Sequence, residues 1–120
     1  MAGFIQCNYG GGGGPVALWT NPSPSASFAN QTVSVDLSDY DAVLILVKHG
    51  TAQSADVSYD MYHGVIYLPV GVTGAYISAP SQANYRSVNV TTSGVQFVTT
   101  SAAAASIPCK IWGVKGITLT

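Results

Sequence analysis

"TVSVDLSDYDAVLILVK" (residues 32–48) decides the fold of this chain. Its first half alternates, so Val33, Val35 and Leu37 are predicted to face one way and the polar residues between them the other, as in a half-buried strand. Residues 42–48 are apolar on both faces, which is typical of a central strand covered on two sides. Short aspartate and serine side chains between the halves favour a turn. The stretch therefore predicts two successive strands.

The same pattern recurs along the rest of the chain. Further strand candidates are "GFIQCN" (3–8), "VALWT" (16–20), "GVIYLPV" (64–70), "GAYISA" (74–79), "YRSVNVTT" (85–92), "GVQFVTT" (94–100) and "IPCKIWGVKGITL" (107–119). About eight short strands with turns between them predict an all-β fold, an antiparallel, jelly-roll-like β-sandwich. "SAAAAS" (101–106) favours a helix but is too short to hold one alone, so no substantial helix is expected.

One proline bears on how the sheets end. Pro69 lies inside a strand candidate, and proline cannot donate a hydrogen bond to a strand ladder. It therefore marks an edge strand, a bulge or the end of a strand. An edge strand is a place where another subunit could pair, whereas a strand end has no such consequence.

The chain carries few charges. Charged residues make up 8% of 120 residues, against about 25% in typical soluble domains. Ordering long charged side chains costs rotamer entropy, so a surface covered by identical neighbours is better built without them. The composition favours packed assembly, and a Ser- and Thr-rich secreted or heat-stable domain is the other interpretation. With a net charge of −1 and four scattered basic residues, nucleic-acid binding is not expected.

The ends of the chain carry two cysteines and no targeting pattern. Cys7 and Cys109 could form one disulfide or remain as buried thiols, and the sequence leaves both open. The N-terminus has no basic region followed by an apolar stretch, so no secretion signal is predicted. The longest apolar run, "AVLILV", is far shorter than the roughly 20 residues that span a bilayer. We expect a protein made in a cytoplasm, without membrane insertion.

Five glycines stand together before the first apolar strand: Gly10, Gly11, Gly12, Gly13 and Gly14. A phosphate-binding loop needs a following lysine and a helix, and neither is present in the sequence here. The run is interpreted as a flexible tether or wrapped arm, with close passage of backbone past a neighbouring chain as the alternative. We expect residues 1–15 to form a Gly-rich arm or anchor and residues 16–120 a single β-sandwich domain.

Catalytic and metal-binding constellations are not predicted. His49 and His63 lack the close ligand spacing of a zinc site and are interpreted as surface turn residues. No G-x-S-x-G elbow accompanies the many serines. Asp36, Asp39 and Asp41 cluster where a strand turns, and turn and cap roles explain them. No catalytic residue, metal ligand or cofactor is expected, and the chain is predicted not to be an enzyme.

Tyrosines supply the one candidate contact surface. Five fall between residues 59 and 85 among small polar residues: Tyr59, Tyr62, Tyr67, Tyr76 and Tyr85. Tyrosine in such company forms adaptable binding surfaces, and sugars stack on such rings. These tyrosines are candidate contacts to a host surface or glycan. Ordinary half-buried strand tyrosines are the alternative, because tyrosine has high β-propensity.

Two stretches carry a family resemblance. "ALWTNPSPSASFANQTVSVDLSDYDAVLILVK" (17–48) resembles the opening of β-domains in bacteriophage tail-fibre and minor structural proteins, and "SIPCKIWGVKGI" (106–117) resembles their closing strand. Together they cover roughly a third of the chain. In that group the module usually ends a long protein, whereas Met1 stands just before it here. We expect a small free-standing virion protein or a fragment.

The resemblance implies a function. It implies an all-β, homotrimeric virion protein, a tail fibre, head fibre or capsid decoration, that contacts other virion proteins and a host-surface glycan. Its uncharged Ser, Thr, Ala and Gly faces would pack against symmetry mates, and its N-terminal arm would anchor it to the particle. The alternative is a monomeric carbohydrate-binding β-sandwich, which needs a planar row of exposed aromatics that includes Trp19 or Trp112.

Overall fold

The computed structural model describes residues 14–50, 62–77, 86–100 and 103–116. They form eight strands: β1 (Val16–Thr20), β2 (Gln31–Ser34), β3 (Ala42–Gly50), β4 (Tyr62–Pro69), β5 (Ala75–Tyr76), β6 (Arg86–Thr91), β7 (Gly94–Thr100) and β8 (Ala105–Val114). No helix occurs in these ranges. The predicted all-β fold is confirmed.

The strands form two antiparallel four-stranded sheets. Sheet A has the order β1-β8-β3-β4, and sheet B has the order β2-β7-β6-β5. β1 pairs with β8 and β2 with β7, so strands from the two ends of the chain lie side by side. β8 also pairs with β3, and the remaining neighbours β3–β4 and β5–β6–β7 follow one another along the chain. The fold is a small β-sandwich in which β3 and β8 are the central strands of sheet A.

Alternating side chains of both sheets fill the core. Fully buried apolar residues include Val43, Ile45, Val47 and Ile111 from sheet A and Val88, Val90, Val95 and Phe97 from sheet B. Burying one such side chain contributes roughly 1.5–3 kcal/mol relative to leaving it exposed. Two aromatic contacts extend the core toward β1, because the Phe28 ring lies edge-on to Phe97 at 5.1 Å and to Trp19 at 6.0 Å.

Several strand boundaries differ from the sequence prediction, and those of β2 and β8 have a structural explanation. β2 ends at Ser34, so Val35 and Leu37 lie beyond the ladder. Leu37 is nevertheless fully buried, and its amide donates to the Thr92 carbonyl oxygen at 2.8 Å. The alternation therefore outlasts the strand, because an extended segment keeps the same side-chain period without a paired neighbour. At the other end, β8 takes in Ala105 and Ser106 from the stretch that favoured a helix.

Pro69 lies at the end of β4, which is an edge strand of sheet A. It pairs with Ala42 at the start of β3. The next amide, that of Val70, donates to the Asp41 carbonyl oxygen at 2.9 Å and leaves the ladder. Of the three alternatives predicted for this proline, the structure shows two together, an edge strand and the end of that strand. Both features follow from the missing proline donor.

Arg86 is a buried cation at the start of β6. Its side chain has no exposed surface, and its guanidinium donates to four main-chain carbonyl oxygens, those of Phe28, Ala103, Ala105 and Ser106, at 2.9–3.3 Å. Burial lowers the pKa of Arg86 to about 10, so the group remains charged at neutral pH. One side chain thus ties two chain segments, the loop at Phe28 and residues 103–106, to sheet B.

Candidate functional site

The outer face of sheet A, which points away from sheet B, is apolar. In register, Leu44 on β3 lies between Tyr67 on β4 and Trp112 on β8. Directly paired residues point to the same side of a sheet. Because Val43 and Ile45 on either side of Leu44 are fully buried in the core, the row of Leu44, Tyr67 and Trp112 faces outward.

A second row lies two residues along. Leu46 on β3 is flanked by Val65 on β4 and Lys110 on β8. Val65 is 50% exposed and Tyr67 is 47% exposed, while the leucines and Trp112 are half-buried. The two rows, with Ala17 on β1 opposite Trp112, are called the apolar face: Ala17, Leu44, Leu46, Val65, Tyr67, Lys110 and Trp112. The second row also includes the exposed Thr20 on β1, opposite Lys110.

Lys110 is the one charged member of the apolar face. Its Nζ lies 5.4 Å from the centre of the Trp112 ring. A cation at this distance over an indole gains roughly 0.5–1 kcal/mol at an exposed site. The aliphatic stem of a lysine also covers neighbouring apolar surface. The ammonium group therefore lies over the aromatic ring. Neither row contains a carboxylate that could pair with it.

The outer face of sheet B is different. Thr32 on β2, Gln96 on β7 and Asn89 on β6 form one row, which is called the amide row. Asn89 Nδ2 donates to Gln96 Oε1 at 3.4 Å, and Asn89 Oδ1 accepts from the Gly74 amide at 2.8 Å. This is the polar, uncharged surface that an antiparallel sheet presents to water. The amide row is thus polar, although sheet B also exposes Val98 on β7, which is 42% exposed.

The predicted tyrosines do not share one surface where the structure describes them. Tyr67 belongs to the apolar face, and Tyr76, which is 66% exposed, lies on β5 at the edge of sheet B. Tyr62 is the first residue of β4, and the structure describes its backbone only. Tyr59 and Tyr85 lie outside the described residues altogether. The three tyrosines whose backbone the structure describes are therefore divided between two sheets, with Tyr62 and Tyr67 on β4 and Tyr76 on β5.

The two tryptophans lie on opposite sides of sheet A. Trp19 packs against Phe28 and the core, whereas Trp112 lies on the apolar face. The sequence alone did not show that the two tryptophans face opposite sides of the sheet, because the strands that carry them are similar in composition. Of the two, Trp112 is the ring that a ligand could reach.

The glycine run is described only at its last member. Gly14 is exposed, and no atom lies within 4 Å of the position that a side-chain Cβ would occupy there. Crowding therefore does not require glycine at this position. Gly10, Gly11, Gly12 and Gly13 lie outside the described residues, and so the arm remains a prediction.

The histidine prediction was wrong in one respect. His49 lies in β3 and His63 in β4, so both occupy strands rather than turns. The sequence suggested turns because a glycine follows each histidine, yet both strands continue through these positions. Their side chains lie outside the description.

Asp36 lies in the predicted turn and is held by Ser38. The Asp36 Oδ1 accepts from the Ser38 hydroxyl at 2.6 Å and from the Ser38 amide at 3.0 Å. The hydroxyl bond, followed by the amide bond, lowers the pKa of Asp36 below its usual value. A carboxylate with a lowered pKa is a weak general base near neutral pH.

Asp36 also borders an open groove of about 420 Å³ lined by Ser34, Val35, Asp36, Ser38, Thr92 and Ser93. Its lining is hydroxyl-rich and contains no histidine or cysteine. Among the described residues no group of three or more His, Cys, Asp or Glu side chains could hold a metal ion. The groove offers hydroxyl groups and the Asp36 carboxylate as hydrogen-bonding groups.

Cys109 is buried in β8, and its thiol donates to the Ile107 carbonyl oxygen at 3.4 Å. Cys7 lies outside the described residues. In the described part of the chain, no helix has the length and apolar character needed to cross a membrane.

Comparison with known proteins adds no relative. No protein-family model matches the chain, no curated protein matches its sequence and no solved structure matches its fold.

Proposed function

We propose that this chain is a non-enzymatic structural protein of a bacteriophage virion, a homotrimeric fibre, appendage or capsid decoration. In this role it contacts other virion proteins through its N-terminal arm, and a host-surface glycan through exposed tyrosines. Its place of action is the virion, after synthesis in the host cytoplasm. The observation that carries the proposal is the apolar face on an otherwise weakly charged β-sandwich.

The apolar face supports an assembly role because a solvated sheet face is normally polar. Val65 and Tyr67 expose about half of their surface, and they adjoin Leu44 and Trp112 in the register. A contiguous apolar surface of this kind typically marks a site of protein association or ligand binding. The polar amide row on the opposite side provides the internal comparison.

The virion assignment is supported by the two stretches that resemble phage fibre domains. Residues 17–48 contain β2 and most of β1 and β3, and residues 106–117 contain most of β8. In the fold, β8 lies between β1 and β3 and pairs with both. Sequence positions far apart thus form one three-stranded unit, as expected of an opening and a closing strand of one module.

A mass measurement tests the assembly. Sedimentation velocity at micromolar concentration should give about three times the chain mass of 12.4 kDa. A weakly charged chain can also form non-specific aggregates, so the species must keep one mass over a concentration series. A stable monomer over that range would contradict the proposal.

A carbohydrate-binding module is a second candidate because two rings share one row. Tyr67 and Trp112 are separated by one strand, that of Leu44, so their backbones lie roughly 10 Å apart. Rings in such a row can stack on successive sugars. A glycan array with the wild type and with Trp112→Ala tests this. Binding lost in the variant supports it, and an array without signal for the wild type rejects it.

A further inference from the structure

The groove beside Asp36 lies between two walls that the fold anchors to the core. One wall is the segment that leaves β2, residues 34–38, and the other is the turn between β6 and β7. The Leu37 amide donates to the Thr92 carbonyl oxygen at 2.8 Å, and the Leu37 side chain is fully buried. Gly94, directly after the turn, pairs with Ser34 at the end of β2. A ligand would therefore not have to order either wall, which lowers the cost of binding.

Three polar groups of the groove are available to a ligand. Asp36 uses Oδ1 for both hydrogen bonds from Ser38. In the part of the chain that the structure describes, no hydrogen bond engages Asp36 Oδ2 or the hydroxyls of Ser34 and Thr92. An ionised carboxylate only accepts, whereas a hydroxyl both donates and accepts. These groups suit a ligand that itself donates and accepts hydrogen bonds, as the hydroxyls of a sugar do.

The charge of the groove disfavours other classes of ligand. Asp36 is the one charged residue of its lining, and the two Ser38 bonds lower the pKa of that carboxyl, so it is ionised at neutral pH. An anionic ligand would meet this carboxylate with no lysine or arginine in the lining to offset the repulsion. A calcium ion takes six to eight oxygen ligands, and one carboxylate is a poor start. The lining favours an uncharged ligand rich in hydroxyls.

The size and shape of the groove fit a saccharide. Its volume of about 420 Å³ lies within the roughly 300–1,000 Å³ of small-ligand sites. Val35 is its one apolar lining residue and is half-buried, so it offers a surface for the C–H face of a sugar ring. The groove is open to solvent along its length, which allows the bound sugar to be part of a longer glycan.

We propose that this groove is a binding site for an uncharged saccharide, held by Asp36, Ser34 and Thr92. The inference rests on the proposed glycan contact and names its ligand class and a subsite apart from the exposed tyrosines. One sugar hydroxyl donates to Asp36 Oδ2, and the Ser34 and Thr92 hydroxyls bond to neighbouring sugar oxygens. The C–H face of the ring contacts Val35.

An NMR titration of the ¹⁵N-labelled full chain tests the site. The probes are methyl glucoside, methyl galactoside and methyl mannoside, each compared with its methyl uronide, which is the same ring with a carboxylate. At least one uncharged sugar is expected to shift the backbone amides of Asp36, Ser38 and Ser93 in a saturable way. Its uronide should bind about fivefold more weakly or not at all, because two carboxylates would then face each other.

A pair of matched variants assigns the binding to the groove. Thr92→Val removes a hydroxyl of the groove, and Thr20→Val removes the same group at an exposed position of β1 in sheet A. Both residues are exposed, so both variants should keep the wild-type amide spectrum away from the substituted position. Thr92→Val should weaken sugar binding about fivefold through the loss of one hydrogen bond, whereas Thr20→Val should bind as the wild type does.

A third variant tests the carboxylate. Asp36→Asn keeps an oxygen that can accept from Ser38 but removes the charge. Because hydrogen bonds to an ionised acceptor are roughly twice as strong as neutral ones, we expect sugar binding to weaken at least about tenfold.

The outcomes separate the groove from the proposed function. If no uncharged sugar shifts the groove amides, if a uronide binds as well as its parent sugar, or if Thr92→Val and Asp36→Asn both bind as the wild type does, the groove is not a saccharide site. Shifts confined to the apolar face, such as those of the Trp112 side chain, would overturn the groove and leave a glycan contact standing. The assembly is measured separately by sedimentation, so failure of the groove is distinguishable from failure of the virion role.

Discussion

The Arg86 guanidinium carbon lies 5.3 Å from the centre of the Phe28 ring, and Arg86 Nη1 donates to the Phe28 carbonyl oxygen at 3.0 Å. The same ring packs edge-on against Phe97 in the core. Arg86 thus fixes the loop between β1 and β2 by contacting both the side-chain ring and the main chain of Phe28. A buried cation is tolerated here because main-chain carbonyl oxygens accept hydrogen bonds from the N–H groups of the guanidinium.

Arg86→Lys should destabilise the fold strongly. A lysine ammonium is a point donor with three hydrogens and cannot reach four carbonyl oxygens on separate segments. Carbonyl oxygens left without a partner in the interior cost about 1–3 kcal/mol each. We expect a loss of roughly 2–4 kcal/mol in the free energy of unfolding, measured by urea denaturation. The exposed Lys115→Met is the control, and equal stability of the two variants would contradict the role of Arg86.

Gly94→Ala should also destabilise the fold, for a steric reason. Gly94 has a φ of 158°, and a Cβ there would contact the Val33 carbonyl oxygen of the neighbouring strand. Because that oxygen belongs to the backbone, β2 would have to move. We expect a loss of about 1–3 kcal/mol. Gly14→Ala, where the space is open, should change stability by less than about 0.5 kcal/mol.

About eight short strand candidates with turns between them were enough to predict the sandwich, and the two apolar faces of β3 were visible in the sequence. The sequence did not show which strands pair with each other, because alternation defines the two faces of a strand but not its neighbours. Arg86 gave no signal, since its acceptors are main-chain carbonyls that any residue supplies. Tyr67 and Tyr76 seemed to belong together, but the chain crosses from sheet A to sheet B between them.

The Asp36 carboxyl should titrate below its usual value near 3.8, because both Ser38 bonds favour the charged form. A group whose pKa is lowered on folding stabilises the fold above its unfolded pKa, and this contribution is lost as the pH falls through the folded pKa. Carbon-detected NMR titration of the side chain measures the value. Ser38→Ala removes the larger cause and should raise the pKa of Asp36 toward that of an unfolded chain. An unchanged pKa in the variant would assign the shift to the amide bond alone.

Asn21 allows a test of the junction between β1 and β8 through a near-isosteric change. Its Nδ2 donates to the Pro108 carbonyl oxygen at 2.9 Å, and its Oδ1 accepts from the Ser23 amide at 2.8 Å. Asn21→Asp keeps the acceptor and replaces the donor with a second carboxylate oxygen. At neutral pH the variant should lose stability, because a carboxylate would lie against a carbonyl oxygen at a position only 7% exposed.

The pH dependence identifies the cause of that loss. Burial raises the pKa of a carboxyl group, so the folded variant binds a proton at pH values where its unfolded chain, with a pKa near 3.9, has lost it. Its stability relative to the wild type should therefore fall as the pH rises above about 4. Below that pH the protonated carboxyl can donate to the Pro108 oxygen, and the two proteins should converge in urea denaturation. Asn21→Ala cannot regain the donor, so its deficit of about 1–3 kcal/mol should not depend on pH. A deficit in Asn21→Asp that is equally flat would mean that lost packing, and not the lost donor, weakens the junction.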